Sequence, residues 1–194
     1  MVNRIIIIIL LLFAAPEAMA QKFVVPLNYQ LHDEQDYLKY QPDVLKAIDW
    51  FQQTPWNEKR LERTQVSEFL MAWIEGCPYV TVETSDDINE LGDNNNDLLV
   101  AYLGGYTKYL LLNSELSFKN DARMAGMKAL FAKYEKDKAF KSDKKVEELM
   151  NLDQKALQDW LSAQLDDGPA PFNEPFSEHP LRTRNLNYNF NKGF

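Results

Sequence analysis

Hydrophobic positions form two continuous runs in this chain and recur elsewhere at helical spacing. The run that organises the chain after its N-terminus spans residues 98–112, LLVAYLGGYTKYLLL, with Lys108 as its one charge. As a helix it would be apolar on nearly every side, and such a helix sits inside a domain with others packed around it. As strands, LLVAYL and YTKYLLL would be joined by Gly104 and Gly105, a recognised hairpin connection. The segments on either side have helical patterns, so the helix is the favoured reading. The polar stretch 85–97 supports it: Asn95 or Asn96 supplies an N-cap, and Asp97 falls in the positive first turn. Two glycines inside a helix cost about 1 kcal/mol each relative to alanine, so they need a packing reason. Ala101, Gly104 and Gly105 make a small-residue face. Ala122, Gly126 and Ala129 make the matching face on a helix from Asn120 or Asp121 to about Lys138, beside its large stripe Met124, Met127, Phe131 and Tyr134.

The remaining pattern is also mostly helical. Pro42 suits a first helical position, and Val44, Leu45, Ile48 and Phe51 carry that helix to about Gln53. Thr54 and Pro55 then read as N-cap and first turn of a second helix over 55–75, with Val66, Phe69, Leu70 and Trp73 as its buried stripe. Gly76 reads as a left-handed terminator before Pro78. Residues 79–84, YVTVET, alternate and are rich in β-branched side chains; they predict an extended connector, or at most one strand of a minor two-stranded ribbon. A short helix behind Ser142 carries Val146, Leu149 and Met150. Asp153 caps a last helix with Leu157, Trp160, Leu161 and Leu165 facing inward. The expected architecture is all-α: one compact multi-helix bundle at 42–167 around the central helix. An irregular segment, 21–41, precedes it. A tail at 168–194, rich in Pro, Asn and aromatics, lies on or beyond it.

The second apolar run changes where the protein is expected to work. Arg4, the stretch 5–15 and Ala18-Met19-Ala20 form the charged, apolar and small-x-small parts of a cleavable signal peptide. The apolar part is shorter than the ~20 residues a bilayer span needs. The reading is cleavage after Ala20 and a soluble periplasmic or secreted product with no membrane span. Cys77 is the single cysteine, so no internal disulfide is possible and the fold rests on burial. Net charge is −8 and stays so once Arg4 and Glu17 are removed together. That acidity argues against nucleic acid or an anionic membrane as partner.

Candidate chemistry is sparse. His32 and His179 are the only histidines and both read as exposed; Cys77 reads as a buried, inert thiol. Asp93, Asn95 and Asp97 match the first ligand positions of a calcium loop, but Leu98 replaces the required Gly and Gly104 replaces the closing Glu. No metal or cofactor is expected. Among many carboxylates, choosing a pair such as Glu83 and Asp86 for glycosidic work would be arbitrary. The candidate ligand-binding residues are Trp56, Tyr79 and Tyr106 as pocket aromatics and Lys108 as the lone cation of the central segment.

The runs TPWNEKRLERTQVSEFLMAWIEGCPYVTVE, LLVAYLGGYTKYLLL and MAGMKALFAKY resemble a group of short, exported, all-helical bacterial proteins with no assigned activity. The resemblance covers about residues 42–165 and implies export and a helical fold; it carries over no site residue. The resulting functional expectation is a non-catalytic binding or interaction module of the cell envelope. Its partner would be a protein or small molecule, and the chain a monomer or weak oligomer. The alternative is a carboxylate-dependent hydrolase acting on a glycan or peptide.

Overall fold

The computed structural model describes residues 22–113, 119–137 and 142–164. The signal-peptide reading of 1–20, the inward-facing reading of Leu165, and the tail reading of 168–194 with His179 lie outside these residues.

The described chain folds as seven helices: α1 (Glu34–Gln53), α2 (Arg60–Gly76), α3 (Asp86–Glu90), α4 (Asn96–Leu112), α5 (Lys119–Lys136), α6 (Lys144–Met150) and α7 (Gln154–Gln164). No strand occurs among the described residues, so the fold is all-α and the ribbon alternative for 79–84 falls away. That segment is an extended connector, as favoured.

Helix α4 occupies the centre. It packs on α1, on α2 and most extensively on α5, and α5 in turn carries α7. Ten of the 17 residues of α4 are buried, from Leu98 to Leu110, which is why its sequence is apolar all round. Asn95 is its N-cap, its side-chain oxygen accepting from the Asp97 N–H at 3.0 Å. The glycines are contacts and not a turn. A Cβ on Gly105 would lie 2.5 Å from the Ala129 Cβ and 2.9 Å from the Ala125 carbonyl oxygen, so α4 and α5 approach backbone to backbone there. Gly126 answers from α5, where an added Cβ would lie 2.8 Å from the Tyr102 ring. Gly104 faces the other way, towards Ile48 on α1.

Three boundaries differ from the sequence reading. The first helix begins at Glu34, eight positions before Pro42, which sits exposed within it. Asp33 caps this earlier start by accepting from the Asp36 N–H, and Tyr37 and Tyr40 extend the buried stripe backwards. Thr54 does not open α2. It closes α1: its N–H and its hydroxyl both donate to the Trp50 carbonyl, at 2.9 and 2.8 Å. With that hydroxyl committed, α2 starts only at Arg60, behind Lys59 in a left-handed conformation (φ 47°). Gly76 is not a left-handed terminator either, since no glycine has positive φ among the described residues. It is the last helical residue of α2, and the Tyr37 hydroxyl occupies the place of its Cβ. The polar stretch before α4 also holds a helix the pattern did not announce, α3, capped by Ser85 and anchored by the buried Ile88.

The core is continuous. Trp73, Phe51, Phe69, Tyr102 and Tyr106 are its largest fully buried aromatics, drawn from α1, α2 and α4. Cys77 is buried and free, and burial pushes its thiol up from the usual range, matching the inert reading. His32 is exposed.

Candidate functional site

The four candidate binding residues are placed apart. Trp56 is exposed in the α1–α2 corner, where its backbone N–H donates to Asp137. Tyr79 is half-buried on the connector; its ring meets Trp73 edge-on at 6.0 Å and its hydroxyl donates to Gln41 at 3.3 Å. Tyr106 is fully buried in α4, edge-on to Tyr102 at 6.1 Å. Lys108 pairs with Asp49 across the α4–α1 contact. Tyr79 and Tyr106 therefore belong to the core and its margin, and Lys108 to an interhelical ion pair. None of the four lines either of the two cavities described below.

What the tertiary fold assembles is a set of charges drawn from positions far apart in the sequence. Lys133 of α5 is 1% exposed. Its ammonium donates to the carbonyls of Phe51, at 3.0 Å, and Thr54, and stands over the Phe51 ring at 5.3 Å. A cation there meets the orphan carbonyls and the negative end of α1. Asp97 of α4 and Asp137, just past α5, hold its charge, but burial dominates and lowers Lys133 to about 8. Asp97 pairs in turn with Arg63 of α2 at 3.3 Å. Burial raises the Asp97 carboxyl, while Arg63 and then Lys133 pull it back. Four helices are thus joined by one largely buried group of two cations and two acids, with Asp97 its half-buried member.

A second charged group holds the connector. Arg123 of α5, wholly buried, donates through Nε and Nη2 to Glu83 and through Nη1 to Asn120. Lys119 adds an ion pair to Glu83 at 2.7 Å, and the Tyr102 hydroxyl donates to the Glu83 backbone carbonyl at 3.1 Å. Glu83, one of the arbitrary glycosidic candidates, is therefore a strap that ties the extended segment to α4 and α5. Only its position on a β-branched stretch was visible in sequence; its partner lies 40 residues away.

The described residues include two cavities that open at the surface. One, of about 390 Å³, lies between the end of α5 and α6 and is lined by Tyr134, Glu135, Asp137, Ser142, Glu147, Met150 and Asn151. Within it Glu147 accepts from the Tyr134 hydroxyl at 2.9 Å and the Ser142 hydroxyl at 2.8 Å. The other, of about 260 Å³, lies between residues 25–29 and the Gln65–Glu68 face of α2. Among the described residues no group of three or more His, Cys, Asp or Glu is arranged to hold a metal ion, and no helix is long and apolar enough to cross a membrane.

Comparison with protein-family models, curated proteins and solved structures found no match to this chain.

Proposed function

We propose that this protein is an exported, non-catalytic binding module of the cell envelope. One observation carries the reading: the five buried charged side chains among the described residues, Arg63, Arg123, Lys133, Asp137 and Asp143, all serve the scaffold. Arg63, Arg123 and Lys133 join helices or the connector. Asp137 holds the α1–α2 corner through Trp56. Asp143 caps α6 and accepts from Asn94 at 2.7 Å. Charge invested in this way makes a rigid frame, which suits a protein that presents a surface.

The hydrolase alternative has its best position at the 390 Å³ cavity, whose lining includes Glu135, Asp137 and Glu147. Among the described residues, the carboxyls whose proton affinity burial raises are Glu75 and Asp97, and they lie elsewhere, on α2 and α4. General acid chemistry on a glycan or peptide asks for such a group inside the cavity, facing a second carboxylate.

The deciding experiment uses the mature chain as bait on the native envelope fraction, with captured species purified and titrated back by calorimetry. Saturable binding of one species, unchanged in Glu135→Gln and Glu147→Gln, two exposed carboxylates of the cavity, is the expected result. Turnover of a glycan or peptide that is lost in both variants would replace this reading with the hydrolase.

A further inference from the structure

The connector between α2 and α3 has the composition of a strand without a strand beside it. Residues 79–84, YVTVET, are rich in β-branched side chains, which suit a chain paired with a neighbour. No strand among the described residues pairs with them. Among those residues, the backbone groups of Thr81, Val82 and Thr84 make no hydrogen bond to other backbone. Thr81 is exposed and Val82 and Thr84 are half-buried, so the stretch lies at the surface.

The connector is also held in place along its length. Val80 is buried in the core, and the Tyr79 ring rests on Trp73. Glu83 takes the Arg123 fork and Lys119, while its carbonyl accepts from the Tyr102 hydroxyl. Ser85, extended at φ −128° and ψ 170°, leads into α3. A segment fixed in this way has already lost the backbone freedom that binding would otherwise cost. A fixed backbone edge with no partner is a template for an added strand.

Charge selects the strand. Glu75 and Asp86, both exposed, bracket the connector in sequence. Glu34, also exposed, lies close enough to Tyr79 to add to the rise that burial imposes on its hydroxyl. The cations beside the connector, Lys119 and Arg123, are engaged by Glu83. A second copy pairing antiparallel would set the Glu75 end of one connector beside the Asp86 end of the other, in a chain of net charge −8. A cationic strand meets attraction at both ends.

We propose that the connector is a docking edge for an extended, cationic segment of a partner protein, which adds to it as a β-strand. The Glu83 carbonyl is turned to Tyr102, so the pairing residues are Val82 and Thr84, whose polar groups take the opposite side of an extended chain. This names the partner class of the binding module and rests on that reading.

The test titrates the isotope-labelled mature chain with a capped seven-residue peptide of alternating lysine and valine, read by amide shifts and hydrogen exchange. Saturable binding is expected, with new protection at the Val82 and Thr84 amides. The same peptide N-methylated throughout keeps its charge, loses every donor and should bind many-fold more weakly. A glutamate–valine peptide should not bind. Val82→Pro removes a pairing N–H and should weaken binding several-fold; Thr81→Pro, on the Glu83 side, should not. Thermal unfolding reports that each variant is folded, and the N-methylated comparison on the wild type needs no variant. The proposal is overturned if the lysine–valine peptide fails to bind, if its N-methylated form binds equally well, or if folded Val82→Pro binds like the wild type. A peptide-free dimer with Val82 and Thr84 protected overturns it in favour of a second copy. None of these results alters the capture from the envelope fraction, which decides the binding-module reading by itself.

Discussion

Lys133 has an unusual position for a lysine, and its electrostatics have a definite sign. Its folded affinity for the proton, near pH 8, lies below the ordinary lysine value of 10.5. The fold therefore disfavours the charged form, and the unfolded chain binds the extra proton between those two values. Stability from this group rises as pH climbs through about 8 towards 10.5. Urea unfolding of the wild type and Lys133→Met at pH 7.5 and 9.5 should show the difference moving in the wild type's favour by about 1–2 kcal/mol. Taking the difference cancels Cys77 and the tyrosines, whose raised affinities work in the opposite direction in both proteins. A difference that stays flat with pH would refute the assignment.

Two other cations separate structure from surface. Arg123 is fully buried against Glu83, and removing one partner of such a pair strands the other; Arg123→Met should cost about 3 kcal/mol. Lys108 and Asp49 keep 35% and 47% of their side chains exposed, so solvent screens the pair. Lys108→Met should change stability by less than ~0.5 kcal/mol. A large loss there, read by the same urea unfolding, would show that Lys108 does more than pair with Asp49.

At the scale of elements, the α4–α5 contact decides the fold, and two adjacent glycines test it. At Gly105 the obstacle is the Ala125 carbonyl and the Ala129 Cβ, neither of which can swing aside. At Gly104 the neighbour is the Ile48 side chain at 3.3 Å, which can yield. Alanine in a helix gains ~1 kcal/mol over glycine, whereas overpacking costs ~1–3 kcal/mol. Gly104→Ala should be neutral or stabilising, Gly105→Ala destabilising, and Gly105→Leu worse still. Thermal unfolding in the reverse order would mean the helices do not meet where Gly105 places them. The small-residue match of Gly105 with Gly126 and Ala129 was legible in sequence because both faces recur at helical spacing. The start of α1 was not, since Pro42 carried a start signal while the Asp33 cap lay in a segment with no clear period.

For the whole molecule, export is the proposal that frames the rest, and it has a direct check. Expressed in a bacterial host with its full N-terminus, the protein should appear in the periplasmic or culture fraction with Gln21 as its first residue by N-terminal sequencing. Retention of Met1 in the cytoplasmic fraction would remove the envelope from the proposed function. The candidate binding residues show the limit of composition at this scale. Tyr79 and Tyr106 are aromatics able to line a pocket, and both are used in packing, because an aromatic side chain is as well suited to a core as to a ligand.

What the sequence determined by itself is local. The caps Asn95 and Asp153, the all-round apolar character of α4 and the stripes of α2 and α7 each depend on residues within about two turns of one another. The tertiary structure alone decided which charges are buried. Lys133 meets Phe51 across 82 positions, and Arg123 meets Glu83 across 40. Pattern treats such residues as solvent-facing, since a charge is stable in water wherever it stands. Only when packing brings a carbonyl or carboxylate within hydrogen-bonding distance does the same charge become part of the interior.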